Sequence, residues 1–396
     1  MAIHRFARYA VTCLMLTALT STRSGADPGP IRIGVIYAYS SNANSPLGPR
    51  FDAAVGAWFK EHGDTMAGRK VEIIRRDEGG VNPENAKRLA QELVVQQHVD
   101  MLAGLIFTPN AVAVGEISTQ SKTPLMIQNA TTSGILAPNP YAMRDSYTTA
   151  QITAPLALWA SKHGAKTAYV LYQDYGPGID AGTTFEKTFT AQGGKVVGEI
   201  RIPTNALEFT PYIQHVKEQK PDVAYVFLNS SGGAPPFLRE WANAGLPKMG
   251  VQLLVHGSMV EEDELQSLGD PAIGVISSMN YTPSHDSKLN KQFVTDYLAA
   301  FGRNGNLPAA TEVAAYDAMS LISRAVVAQK GDLTADGTLA AIKGVRFESP
   351  RGPVMIDPQT RDVVQNVYIR RVERKGSLYV NTEIETLPMV RDPFEN

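Results

Sequence analysis

Six short stretches of this chain carry small polar residues at the density a ligand site needs: SSNANSPLG (40–48), FTPNA (107–111), QNATTSG (128–134), QDYGPG (173–178), NSSGG (229–233) and HGS (256–258). Hydroxyls, side-chain amides and the free N–H groups of helix N-termini can hold a carboxylate without a formal positive charge. Each stretch alone also reads as a turn or an N-cap. Their recurrence is the signal. QNATTSG raises a further possibility, because Asn129, Ala130 and Thr131 match a glycosylation acceptor.

Other chemistries lack their usual supports. The chain has one cysteine, Cys13, and no P-loop, G-x-S-x-G elbow, H-E-x-x-H or cysteine pair, so no metal or cofactor is implied. Gly176, Gly178 and Gly182 give G-x-G-x-x-x-G, one residue off a dinucleotide-binding turn, and the next strand does not end in a ribose-binding acid. The acids Glu261, Glu262, Asp263 and Glu264 read as a helical first turn favoured by the dipole, and His62, His98 and His163 as helix C-terminal residues.

The elements that must position the six stretches follow from periodicity. From Ile31, short β-branched runs (IRIGVIYAY, VEIIRR, DMLAGLIF, TPLMI) alternate with amphipathic runs at 50–62, 83–98 and 110–121. Parallel neighbours need a crossover, so this alternation means βαβ units. The series repeats from about Tyr147, with TAYVLY, KVVGEIRI, DVAYVFL and VQLLVH separated by helices. Two long helices, 288–301 and 309–329, and β-rich sequence follow. The fold class is α/β: two doubly wound parallel-sheet lobes joined by a three-segment hinge, with crossings near Asp145, Met279 and Pro353. The six stretches then fall at the carboxyl ends of strands, where doubly wound sheets bind ligands.

Residues 1–26 read as a cleaved secretion signal: basic Arg5 and Arg8, the apolar AVTCLMLTALT, and Ser24-Gly25-Ala26. That apolar run is too short to span a bilayer. Cleavage removes Arg5, Arg8 and Arg23 and no acid, moving the formal charge from −2 to −5 and leaving no disulfide to form. A mildly acidic chain does not suggest a nucleic-acid or anionic-membrane partner. The expected domains are 1–26 as signal, 27–145 plus 279–353 as lobe 1, and 146–278 plus 354–396 as lobe 2.

From about Ile31 to Arg371 the chain resembles a periplasmic solute-binding protein of the type I fold, in the branched-chain amino acid (Leu/Ile/Val) binding family that serves ABC importers. The residues that carry the resemblance include IRIGVIYAYS, VEIIRRDEGGVNPENAKRLAQELV, FTPNA, TPLMIQNATT, MRDSYTTAQ, DYGPG, LREWANAGL, LGDPAIGV, AAYDAMSLISRAV and FESPRGPVMID. The phrases MRDSYT and FESPRGPVMIDPQTRDVVQNVYIRRVE look like a subgroup that takes up aromatic acids.

The resemblance implies a periplasmic monomer that is not an enzyme, a small carboxylate ligand, and an ABC permease as partner. It carries a carboxylate clamp onto Thr108 with Asn110, and onto the Ala130 backbone with the Thr132 hydroxyl. From the second lobe it adds Tyr175 and the loop Asn229, Ser230 and Ser231. Where amino-acid binders of the family place an acid against the ligand ammonium, this chain has His256, Gly257 and Ser258. Without an acid from Glu261 onward, an α-amino acid would bury an uncompensated ammonium at a cost of several kcal/mol. Leu47, Phe107, Tyr39, Tyr175 and Tyr281 could wall an apolar or aromatic ligand. The expected ligand is an aromatic carboxylate such as a benzoate or hydroxycinnamate. The alternatives are a branched-chain or other hydrophobic amino acid or, in another class, the sensing domain of a receptor.

Overall fold

The computed structural model describes residues 29–40, 47–228, 233–302 and 306–395. The expected signal segment and Asn229, Ser230 and Ser231 lie outside the described residues.

The first sheet contains β1 (Ile31–Tyr37), β2 (Thr65–Met66), β3 (Arg69–Asp77), β4 (Met101–Gly104), β5 (Leu125–Ile127) and β6 (Ala142–Arg144). Their spatial order is β2-β3-β1-β4-β5-β6, parallel except for the β2–β3 pair. The order reverses between β1 and β4, which places a crevice at the carboxyl ends of those strands. The crossovers are α1 (Leu47–His62), α2 (Pro83–Val95) and α3 (Thr108–Ser121). Asn82 caps α2 by accepting from the Asn85 N–H at 3.1 Å, with Pro83 fitting the first turn.

The second series runs α4 (Thr149–Lys162), β7 (Thr167–Gln173), α5 (Gly176–Ala191), β8 (Lys195–Ile202), α6 (Thr210–Gln219), β9 (Val223–Phe227), α7 (Ala234–Asn243), β10 (Gln252–His256), α8 (Glu262–Leu268) and β11 (Ile276–Met279). Then come α9 (Lys288–Phe301), α10 (Ala310–Ala328), α11 (Ala335–Ile342), β12 (Arg346–Ser349), β13 (Gly352–Ile356), β14 (Val363–Lys375) and β15 (Leu378–Val390). The second sheet is ordered β12-β13-β14-β11-β10-β9-β7-β8, with β15 pairing β14. Strands β7 to β11 are mutually parallel, and its order reverses between β7 and β9.

Each sheet is covered on both faces. On the first, Phe51 and Trp58 of α1 meet Phe293, Tyr297 and Tyr316 of α9 and α10, while Leu89, Leu93, Val114 and Ile117 of α2 and α3 cover the other side. On the second, Phe237, Leu238, Trp241 and Leu265 cover one face, and Trp159, Phe185 and Phe189 the other. Each such side chain contributes about 1.5–3 kcal/mol by burial. The chain leaves the first sheet after β6, and α9 and α10, following β11, return to pack on α1. The crossing expected at Pro353 falls instead inside β13. That strand pairs with β14 in the second sheet while its Val354 and Ile356 bury in the first core, so sheet and core assign it to different lobes.

Candidate ligand-binding site

The loops after β4 and β5 bring two expected residues together: the Thr108 and Thr132 hydroxyls are 3.1 Å apart. Across from them stands the start of α5, where a methyl group on Gly176 would come within 2.8 Å of the Thr132 hydroxyl. Neither α3 nor α5 has a side-chain N-cap, so both present first-turn N–H groups at this point. The Ser133 N–H donates to Asp180 of α5 at 2.9 Å, tying the two lobes beside the hydroxyl pair. Burial raises the Asp180 carboxyl to about 6, against the opposing effect of that N–H.

Beneath the loop lies a brace of buried arginines. Arg144, at the end of β6, donates to the carbonyls of Ala130 (2.7 Å) and Thr132 (2.9 Å) and holds both oxygens of Asp362 at 2.7 and 2.6 Å. Arg361 donates to the carbonyls of Leu136 and Ala142, at 2.7 and 2.8 Å. This brace fixes Ala130 at φ +37°, a left-handed conformation that costs a non-glycine residue about 1–3 kcal/mol. Glu78 does the same work for the FTPNA loop, accepting from the Ile106 N–H at 3.0 Å and the Asn110 amide at 2.7 Å; burial raises its carboxyl to about 7.

Several expected contacts are corrected. The Ala130 N–H already donates to the Ile106 carbonyl at 3.2 Å. The buried Asn110 amide is committed to Glu78 and Gly80 and accepts from the Asn82 N–H, so its side chain supports the loop rather than facing a ligand. Tyr281 is a core residue bonded to Asn290 at 2.9 Å, and Tyr39 donates to Asp52 at 3.2 Å. Leu47 and Phe107 remain half-buried at the starts of α1 and α3. The Asn129 amide donates to the Ile106 carbonyl at 3.1 Å, which argues against a glycan there. Gly178 is explained by packing, because a methyl group on it would lie 1.9 Å from the Gln173 carbonyl oxygen.

The second lobe contributes rings. Parallel register sets Phe227, at the end of β9, beside Tyr172 of β7, and pairs Val226 with Val255 of β10, so Phe227 and His256 end neighbouring strands. The His256 ring lies 5.0 Å from Phe227 and 5.8 Å from Tyr147, which precedes α4; Tyr175 stands 6.1 Å from Phe227. Tyr147 and Phe227 do not stand out in the sequence pattern. Their signal was position, at the ends of elements facing one edge, and not composition.

The expected HGS contacts sort into separate tasks. Gly257 is glycine because a methyl group there would meet Arg370 at 2.4 Å, and its carbonyl accepts from that guanidinium at 3.0 Å. Ser258 holds the imidazole, with its hydroxyl 2.8 Å from Nδ1 and its N–H donating to Nδ1 at 3.3 Å. Burial, with Arg370 nearby, pushes His256 down to about 3, so the ring is neutral.

Arg370 is fully buried and donates to the Ser277 hydroxyl and the Tyr281 and Gly257 carbonyls, none of them a carboxylate. Half-buried Glu261 lies close enough to Arg370 and Tyr147 for their charges to interact, and burial holds its carboxyl up at about 8 despite Arg370. The acidic run is thus more than a dipole-favoured helix start. Buried Glu262 accepts from Thr282 at 3.0 Å and from the Asn381 amide at 3.1 Å. Among the described residues no group of acids, histidines and cysteines is arranged to hold a metal.

A groove of about 790 Å³ lined by Gln91, Val95, Ile117 and Gln120 is not this site. It sits at the far ends of α2 and α3, about 18 Å along α3 from Thr108 at 1.5 Å per residue.

Two doubly wound lobes that meet at opposed strand ends, with hydroxyls on one side and rings on the other, define a two-lobed solute-binding protein. The match to known proteins is specific: residues 30–377 fit the periplasmic binding protein family model, and the chain belongs to that family. It is 37% identical over 387 residues to Leu/Ile/Val-binding protein homolog 6 of Brucella suis biovar 1 (strain 1330), covering 98% of each chain. Among solved structures, it resembles an ABC-transporter solute-binding protein of Rhodopseudomonas palustris in complex with 4-hydroxybenzoate, at 40% identity and TM-score 0.88, covering 92% of this chain and 99% of that one. It also resembles one from R. palustris BisB5 in complex with 3,4-dihydroxybenzoic acid, at 38% identity and TM-score 0.86, covering 93% and 99%.

Proposed function

We propose that the protein is the extracytoplasmic solute-binding component of an ABC importer and that its ligand is an aromatic carboxylate. The observation that carries this reading is the neutral His256, set among Tyr147 and Phe227 where an amino-acid binder needs an acid. Thr108, Thr132 and the uncapped starts of α3 and α5 suit the carboxylate, and the rings suit the aromatic body. The aromatic-acid complexes of the two R. palustris relatives support the same reading. Function is capture without chemistry. Lobes 27–145 plus 279–353 and 146–278 plus 354–396 hinge on three segments, closure buries the ligand, and a monomer in the periplasm hands it to a membrane permease.

The second reading, a hydrophobic amino acid, is favoured by Glu261, an acid inside the cleft, and by the name of the Brucella relative. Thermal-shift measurements with leucine, phenylalanine, benzoate and p-coumarate side by side separate the two. Stabilisation by the aromatic acids and not by leucine is expected. The reverse outcome selects the second reading, and turnover of any of the four would overturn binding as the function.

A further inference from the structure

One side chain at the aromatic end has a donor left over. The Ser258 N–H points at Nδ1 of His256, which makes Nδ1 an acceptor and puts the single proton of the neutral ring on Nε2. Nε2 is on the opposite edge of the ring from Ser258. It is buried and has no hydrogen-bond partner among the described residues, in a residue only 1% exposed. Among the described residues, the Tyr147 and Phe227 rings lie 5.8 and 5.0 Å from the imidazole, and the Arg370 guanidinium lies behind Gly257. Ring faces are weak acceptors and a guanidinium is none, so among these neighbours nothing matches the buried N–H, and an oxygen brought by a ligand would.

The same polarity excludes an ammonium at this point, since donor would face donor. The carboxylate of the ligand has its own seat at the Thr108–Thr132 pair. The contact chain from that pair runs through Gly176 and Tyr175 to Phe227 and then His256, so His256 stands at the other end of the ring row.

We propose that the Nε2–H of His256 donates to an oxygen substituent on the ligand ring, at the end away from the carboxylate, and so selects ring-hydroxylated aromatic acids over unsubstituted ones. This rests on the aromatic-carboxylate reading and deepens it. Ser258 is then a positioning residue that fixes the tautomer.

The test is calorimetry on the full mature chain with benzoate, 4-methylbenzoate and 4-hydroxybenzoate. Wild-type protein is expected to bind 4-hydroxybenzoate about tenfold more tightly than either of the others, a difference of about 1.4 kcal/mol. The methyl compound controls for shape without needing any variant. His256→Phe keeps a buried ring, and is expected to abolish the tenfold preference of 4-hydroxybenzoate over 4-methylbenzoate. Equal wild-type affinities for the methyl and hydroxyl compounds, or a preference that survives in His256→Phe, would overturn the assignment of His256 while leaving the aromatic reading intact. Wild-type binding of leucine with no binding of any benzoate would overturn both.

Discussion

The two ends of the cleft are built on opposite principles. At the Thr108–Thr132 end the atoms proposed to face the ligand belong to small residues, and their position is imposed from below by buried charge: Arg144 with Asp362, Arg361 on the carbonyls of Leu136, Asn139 and Ala142, and Glu78 under the FTPNA loop. At the His256 end the facing groups are large rings, positioned by strand register and by one short hydrogen-bonded turn. Hydroxyls and N–H groups recognise a carboxylate only at fixed distances, so that end needs a rigid frame. Rings recognise a ring by area and offset, which tolerates more movement. The first end therefore couples binding to stability, and the second leaves the two separable.

The largest expected effect tests that coupling directly. Asp362→Ala leaves the buried Arg144 guanidinium without its carboxylate and should cost about 3–5 kcal/mol of stability in urea denaturation. It should also weaken every carboxylate ligand, because Arg144 holds the Ala130 and Thr132 carbonyls. His256→Phe, at the other end, should move the denaturation midpoint far less. A similar loss of stability from both variants would break the contrast between a framed end and a packed one.

The sequence showed the parallel lobes and the loop edge because hydrophobic alternation and helix length are local. Helix α9 at 288–301 comes out at the residues expected from pattern alone. At the proposed clamp, Thr108 and Thr132 were named from the family resemblance, and their hydroxyls lie 3.1 Å apart. The Ala130 N–H was misread because a polar group near a site is as often part of its frame, and only distance tells which. The brace was present as MRD and TRD in the phrases resembling known binders, yet nothing local says that Arg144 and Asp362, 218 residues apart, form a pair. Tyr147 and Phe227 escaped because an aromatic at a strand end looks like core until its neighbours are known.

A smaller effect separates hydroxyl from frame within the first end. Thr132→Val keeps the volume beside Gly176 and removes one donor, while the Thr132 carbonyl stays on Arg144. Affinity for benzoate and 4-hydroxybenzoate should fall together by about 1–3 kcal/mol in calorimetry, with the urea midpoint nearly unchanged. A loss confined to one of the two ligands would place Thr132 in ring selection rather than in the carboxylate clamp.

The smallest effect concerns Glu261, an acid close enough to Tyr147 and Arg370 at the aromatic end for their charges to interact. Burial raises its carboxyl to about 8, with Arg370 opposing, so the group is mostly neutral at pH 7 and acquires charge as pH rises through 8. For stability, a carboxyl raised above its unfolded value holds its proton better in the folded state. Its favourable contribution is fully present below the unfolded value of 4.5 and is lost progressively as pH rises from there through 8. For binding, the sign depends on the ligand. An aromatic carboxylate brings negative charge into the cleft, so its affinity should be flat from pH 6 to 7 and decline above 8, by less than tenfold per pH unit, and Glu261→Gln should remove the decline. An amino acid whose ammonium sat against Glu261 would favour the ionised form and give affinity that rises with pH over the same window until the ammonium itself loses its proton. Calorimetry at pH 6, 7, 8 and 9 reads the slope directly, and a rising one would make the second end of the cleft a charged seat instead of an aromatic one.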